Sequence, residues 1–196
     1  MSKITETTLQ IDLSKLEHNV EFIKSKLLPS TKILAVVKAF AYGSDAEKIS
    51  LFLQDLKVDY LAVAYVKEGI ALRKAGVHIP ILVLHPQPIN FKAIIDNCLE
   101  PSLYSFRVLN EFIQVAIDLK QQKYPIHIKF NTGLNRLGFK QEDIDEVTSL
   151  INLTSEIKIT SIFSHLAASE DLNEKEFTKQ QIEDFTSIQE LSLIHI

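Results

Sequence analysis

Lys38 ends the apolar run Ile33–Val37, and Ala39-Phe40-Ala41-Tyr42-Gly43 follow it at once. A cation at the tip of a buried strand carries a desolvation cost unless it has work to do. Burial there lowers a lysine's pKa and supplies the neutral amine that Schiff-base chemistry needs. The competing reading is a lysine that snorkels from a strand end into solvent. A second group of candidates lies in Lys129-Phe130-Asn131-Thr132-Gly133-Leu134-Asn135-Arg136-Leu137-Gly138. In the strand that leads into it, Ile126, Ile128 and Phe130 face one way, while His127, Lys129 and Asn131 face the other. In a parallel sheet covered on both faces, the polar set must point into a polar cavity. Arg136 carries a planar fork suited to oxygen acceptors. The simpler alternative makes Lys129 and Arg136 surface cations on a loop. The third group is Ser164-His165-Leu166-Ala167-Ala168-Ser169-Glu170-Asp171, after the apolar segment Ile157–Phe163. A lone histidine at a strand end serves structure as readily as chemistry. His18, His78, His85 and His127 show no ligand spacing, and no Cys/His/Asp cluster points to a metal. No Gly-x-Ser-x-Gly elbow occurs.

Elements of two alternating kinds must position these residues. Ser14 and Glu17 read as a capping box for a helix with Leu16, Val20, Ile23 and Leu27 at helical spacing, closed by Pro29. Strand Ile33–Val37 follows, then a second capping box, Ser44 and Glu47, opening a helix with Ile49, Leu53 and Leu56 on one face. Strand Tyr60–Ala64 leads to helix Lys67–Ala75, stopped by Gly76. Strand Ile81–Leu84 precedes a helix over Ile89–Asn97, and a fourth strand lies within Cys98–Tyr104. Ser105 caps a helix whose stripe is Leu109, Phe112, Ala116 and Leu119. Strand Pro125–Phe130, helix Gln141–Ile151, strand Ile157–Phe163 and helix Glu174–Glu190 complete the series. Apolar strands alternating with amphipathic helices predict parallel βα units. On this pattern alone, an open doubly wound sheet and a (β/α)8 barrel are both possible. A missing Gly-x-Gly-x-x-Gly after the first strand counts against a dinucleotide fold. A barrel needs eight βα units in about 250 residues, and about six are present here.

Composition narrows the classes further. The 196 residues are 46% hydrophobic, enough for a sizeable core, and the net charge is −4 with both signs interspersed. That balance argues against a nucleic-acid or anionic-membrane partner. One cysteine, Cys98, excludes an internal disulfide framework and fits a reducing cytosol. No apolar stretch reaches membrane-spanning length, and the polar Met1–Gln10 lacks a signal peptide's core. A cytoplasmic setting is expected.

Taken together, the three groups resemble the motifs of alanine racemases, which are fold-type III pyridoxal-phosphate enzymes. Val36–Gly43 with the next two residues resembles V-V-K-A-N-A-Y-G-H-G, departing at Phe40, Ser44 and Asp45. Lys129–Gly138 resembles K-x-D-T-G-M-x-R-x-G, with Asn131 where aspartate is usual. Ser164–Asp171 resembles T/S-H-F-A-x-A-D. The resemblance implies a parallel (β/α)8 TIM-type barrel, here incomplete, followed in the family by a C-terminal β-domain that is absent from these residues. It implies pyridoxal 5'-phosphate held by Lys38, which then acts as the base on one face of alanine. Tyr42 would reach the cofactor phosphate, a charge that the following helix N-terminus would also favour. Arg136 would lie beside the cofactor's phenolic oxygen and the substrate carboxylate. His165 would pack against the pyridine ring, and Lys129 matches a lysine that often carries a carbamate. The family works as a homodimer, with the opposite base a tyrosine from the partner's C-terminal domain.

The expected function is therefore racemisation of L- and D-alanine for peptidoglycan precursors, with the 196-residue chain inactive alone. The alternative is a pyridoxal-phosphate-binding homeostasis protein, a single barrel with little catalysis. A fusion to a cell-wall peptide ligase is also compatible. Residues 1–190 are read as the partial barrel domain. Leu191-Ser192-Leu193-Ile194-His195-Ile196 resembles the translation of a transposon-derived sequencing adaptor, and is read as a non-native tail.

Overall fold

The computed structural model describes residues 7–195, with side chains described through residue 192. The chain divides into two compact units, the first running through Leu84 and including Asn97–Leu99, the second made of His85–Asp96 and the residues from Glu100 onward.

The first unit contains α1 (Leu13–Lys24), β1 (Leu34–Val36), a short helical turn α2 (Lys38–Gly43), α3 (Ala46–Asp55), β2 (Tyr60–Val63), α4 (Val66–Lys74) and β3 (Ile81–Val83). Its strands are parallel, pairing Leu34 with Tyr60, Val36 with Ala62, Leu61 with Ile81 and Val63 with Val83. β2 and β3 form the floor of the core: Leu61, Ala62, Val63, Ile81 and Val83 are all 0% exposed. Continuous apolar runs of this kind mark strands buried on both faces. β1 differs. It was expected to be a buried strand, but Leu34 is 41% and Val36 38% exposed. The reason is its place: β1 pairs with β2 on one side only and lies at the edge. α4 stops at Gly76, whose φ of +101° suits glycine, and Arg73 then ties the chain down. Its guanidinium donates to the carbonyls of Val77 (3.0 Å), Ile79 (2.7 Å) and Cys98 (2.8 Å).

Both expected capping boxes are replaced by single aspartate caps. The α1 helix starts at Leu13, so Asp12 is the cap and accepts the Ser14 N–H at 3.0 Å and the Ser14 hydroxyl at 2.6 Å. Ser44 belongs to the end of α2, which shifts the start of α3 by one residue. Asp45 is therefore the cap, accepting the Lys48 N–H at 3.0 Å. Ser105 caps its helix as expected, accepting the Val108 N–H at 3.4 Å.

The second unit contains α5 (Phe91–Asp96), β4 (Glu100–Leu103), α6 (Phe106–Asp118), β5 (Tyr124–Lys129), α7 (Ile144–Asn152), β6 (Ile157–Phe163) and α8 (Lys175–His195). Single 3-10 turns lead into α5, α7 and α8. The parallel register sets Ser102 beside His127 and Leu103 beside Ile128. The outer faces of the strands and the helices share a core in which Phe91 and Phe112 meet edge to face at 5.1 Å. Leu103, Leu109, Ile126 and Ile128 fill it, each at most 1% exposed. The α8 helix continues through His195, and Ile196 of the expected tail lies outside the described residues.

One irregularity in β6 decides which side chains share a face. Ile126 pairs with Ile159, but His127 pairs with Ser161, so Thr160 is an extra residue in the strand. Without this bulge, Ser161 and Phe163 would keep the parity of Ile157 and Ile159 and point toward the helices. The bulge turns them to the polar face, beside His127 and Lys129.

Candidate active site

In the first unit, β1 delivers Val37 into the core, where its N–H donates to the Ala62 carbonyl at 2.8 Å. Lys38 follows, half-buried at the carboxyl end of the strand. The backbone then inverts its hand. Ala39, Phe40, Ala41 and Tyr42 have φ of 51°, 58°, 50° and 56°, all left-handed, and Gly43 follows at 85°. Each L-residue held this way costs about 1–2 kcal/mol, and such runs are essentially unknown without a compensating environment. Internal bonds supply part of it: the Ala41 N–H donates to Val37 at 3.0 Å and the Ser44 N–H to Phe40 at 2.9 Å.

Glu68 on α4 supplies another part, and the sequence carried no signal for it. Its Oε1 accepts the Ala39 N–H at 2.7 Å, while Oε2 accepts the N–H groups of Ala64 (2.7 Å) and Tyr65 (2.9 Å). The turn brings Tyr42 back over the lysine, with Lys38 Nζ 5.9 Å from the phenol ring centroid and Tyr42 68% exposed. A cation at this distance is attracted to the ring face. The start of α3 departs from expectation. Its N-terminus already holds the Asp45 carboxylate, whose charge works against a phosphate there. The Lys48 backbone N–H holds the Asp45 carboxyl below its ordinary pKa, with the Lys48 ammonium at 3.3 Å assisting.

In the second unit, Lys129 ends β5 and is 7% exposed, with Nζ 5.9 Å from the Phe163 ring centroid. The loop beyond closes on itself. Phe139 N–H donates to the Lys129 carbonyl at 2.9 Å, and Asn131 N–H to the Phe139 carbonyl at 2.8 Å. A Cβ at Gly138 would lie 2.6 Å from the Asn131 nitrogen, so only glycine fits that crossing. Asn131 performs the acceptor work an aspartate could do, its Oδ1 taking the N–H groups of Gly133 (3.2 Å) and Asn135 (2.9 Å). It adds a donor that aspartate lacks, from Nδ2 to Asn135 Oδ1 at 2.9 Å. Arg136 stands exposed on this loop.

His165 is exposed after β6, and its loop is held by a residue absent from the sequence reading. Gln181 on α8 is 0% exposed. Its Oε1 accepts the Ala167 N–H at 2.9 Å, and its Nε2 donates to the His165 carbonyl at 3.3 Å and to Thr132 Oγ1 at 3.5 Å. Thr132 and Ser164 hydroxyls meet at 2.7 Å, and Ser164 donates to the Phe130 carbonyl at 2.9 Å. The loops after β5 and β6 are thus fastened together. A cavity of about 340 Å³ opens beside them, lined by Thr132, Ser164, His165, Gln181 and Phe185.

Beneath these loops a polar line crosses three strands, with Glu100 and His127 buried. His127 Nε2 meets Glu100 Oε2 at 2.6 Å, and His127 Nδ1 meets Ser161 Oγ at 2.7 Å. The alternation in β5 had predicted a polar interior face, and this network occupies it. Glu100 within a strand was the available signal. At the end of β4, burial pushes the Tyr104 phenol up, and its Oη lies 3.2 Å from His85 Nδ1. Among the described residues, no acidic, histidine and cysteine side chains cluster as a metal site, and no helix is long and apolar enough to cross a membrane.

A family model described as alanine racemase, N-terminal domain, matches residues 11–193. An amino-acid racemase of Enterococcus faecalis is 38% identical over 92% of this chain, which covers 25% of that protein. An alanine racemase of Thermodesulfovibrio yellowstonii is 35% identical over 92% of the chain and 49% of its own length. Among solved structures, alanine racemase from Clostridium difficile 630 in complex with cycloserine superposes with a TM-score of 0.85. It is 32% identical over 91% of this chain and 49% of that one. The chain therefore spans a quarter to a half of the relatives it matches. The expected barrel-type parallel βα fold is borne out, and it accounts for part of the barrel only.

Proposed function

Because the chain belongs to the alanine racemase N-terminal-domain family, we propose that it carries the amine for pyridoxal 5'-phosphate, Lys38, in a protein that interconverts L- and D-alanine. The observation that supports this most is the turn itself. Four strained residues are held directly beyond a half-buried lysine at a strand's carboxyl end, where parallel α/β folds build their sites.

The donor set fits the cofactor's chemistry. Lys38 offers a primary amine for an aldehyde, and Tyr42 a phenol hydroxyl for the phosphate. Arg136 offers a guanidinium fork for the phenolic oxygen and the substrate carboxylate, and His165 a ring to lie against the pyridine. When bound, the cofactor supplies the electron sink that acidifies the substrate Cα–H. Lys38 Nζ accepts that proton on one face of Cα and returns it there in the reverse direction. Arg136 is assigned to the substrate carboxylate, which its planar fork suits. Lys129, buried and two positions before Asn131, is assigned as the lysine open to carbamylation, which would exchange a buried cation for an anion able to orient Arg136. The second base is assigned to a tyrosine of the partner in a homodimer, from a C-terminal β-domain outside these residues. A cytoplasmic setting, a role in peptidoglycan precursors and a fused peptide ligase remain part of this proposal. So does the non-native origin of residues 191–196.

The test is covalent trapping. The purified chain is incubated with pyridoxal 5'-phosphate and reduced with borohydride, which turns the C=N bond formed with loss of water into a stable secondary amine. Peptide mapping is expected to find the pyridoxyl group on Lys38 well above every other lysine, and Lys38→Ala to abolish that peak. Uniform labelling across the lysines would sink the assignment.

A further inference from the structure

We propose that Glu68 is the positioning residue for Lys38: its carboxylate fixes the left-handed turn to the exit of β2 and so sets the direction of the amine. This rests on the assignment of Lys38 as the cofactor amine.

The first N–H groups of any helical turn lack an internal partner, whichever its hand. In α2 the bonds that close the turn begin with the Ala41 N–H, so the Ala39 N–H has none within it. Glu68 Oε1 meets that need at 2.7 Å, at the first left-handed residue and one peptide beyond Lys38. The same carboxylate is anchored from below by Ala64 and Tyr65 N–H groups at 2.7 and 2.9 Å. Three backbone donors on two oxygens, each bond charge-assisted, make a short, stiff connection. One end is the rigid floor of the unit, since neighbouring Val63 is 0% exposed. The other end is the left-handed run that begins at Ala39. Val37, Phe40, Val63, Lys67 and Glu68 line one cavity of about 190 Å³, so the carboxylate and the turn border the same space.

The geometry also says why glutamate is needed. A glutamine has one acceptor oxygen, and its amide nitrogen cannot receive an N–H. Glu68→Gln must therefore leave either Ala39 or the Ala64–Tyr65 pair without a partner. Losing the bond to Ala39 frees the turn to relax toward right-handed backbone, and Lys38 Nζ leaves its place above Tyr42.

The experiment follows borohydride trapping of pyridoxal 5'-phosphate at Lys38 in the unaltered chain and in Glu68→Gln, well below both melting transitions. The expected result is a fall of about tenfold in the labelling rate of Lys38, the size set by losing one charge-assisted hydrogen bond. Labelling of the other lysines should be unchanged, which a general loss of stability would not produce. Adding Ala39→Gly and Phe40→Gly to Glu68→Gln should recover part of the rate, because glycine adopts the left-handed region freely. Equal Lys38 rates in the unaltered chain and Glu68→Gln overturn this inference and leave the proposed function standing. Absence of selective Lys38 labelling in the unaltered chain overturns both. Should Glu68→Gln not fold, amide hydrogen exchange of the unaltered chain decides. Protection of Ala39 comparable to that of Ala64 and Tyr65 supports the tie, and an unprotected Ala39 overturns it.

Discussion

At the scale of single residues, carboxylates rather than cations do most of the positioning around Lys38. Glu68 gathers three N–H groups, and Asp45 closes the N-terminus of α3 just after Gly43. Asp45 accepts the Lys48 N–H, which lowers its carboxyl pKa below the ordinary value. A depressed folded-state pKa contributes stability that is fully present above the unfolded pKa and is lost as pH falls through the folded one. Asparagine caps a helix as well as aspartate but does not titrate. Asp45→Asn should thus match the unaltered chain near neutrality and lose stability less steeply in acid, measured as urea midpoints over a falling pH series. Parallel curves for the two proteins would refute the linkage. None of this was legible in the motif itself. Ala39, Phe40, Ala41 and Tyr42 have side chains that favour right-handed or extended backbone, and the group that overrides them lies 29 residues further on.

Elements were read more reliably than their ends. The segment Ile157–Phe163 is a strand with the bounds its apolar pattern implied, because β-branched residues and flanking turns agree there. Its bulge at Thr160 was not visible, since register is set by pairing with β5 rather than by local preference. The same holds for α8. Its apolar spacing announced a helix, yet its most consequential residue is Gln181, joined to Thr132 across 49 positions. Replacing Gln181 by leucine removes the acceptor of the Ala167 N–H, while Thr132 keeps its hydroxyl contact with Ser164. The expected cost is roughly 1–3 kcal/mol for the orphaned N–H, read from chemical denaturation, with faster exchange of the Ala167 amide. A Gln181→Leu chain as stable as the original would show that α8 covers the loops without holding them.

For the molecule as a whole, the motifs carried the family, and the strand count carried its limit. About half the length of the alanine racemase from Thermodesulfovibrio yellowstonii has no counterpart in this chain, which covers 49% of it. Within the chain, β1 lies at the edge of the sheet with Leu34 and Val36 exposed, whereas parallel strands are ordinarily covered on both faces. A lysine at one face of Cα can exchange a proton on that face alone, whereas inversion requires a second proton donor opposite. The 196-residue chain is accordingly expected to bind the cofactor weakly and to show negligible conversion of L- to D-alanine. It should still exchange Cα deuterium with retained configuration in cofactor-loaded protein. Substantial D-alanine from the chain alone would mean that its own residues reach both faces.

The inverted turn beyond Lys38 has one more consequence. For Ala39, Phe40, Ala41 and Tyr42 the mirror-image amino acid would be the comfortable one: a D-residue rests in the left-handed region as an L-residue rests in an ordinary helix. The protein thus keeps four of its own stereocentres in the backbone that suits their enantiomers. It does so beside an amine whose proposed task is to make the two hands of alanine interchangeable.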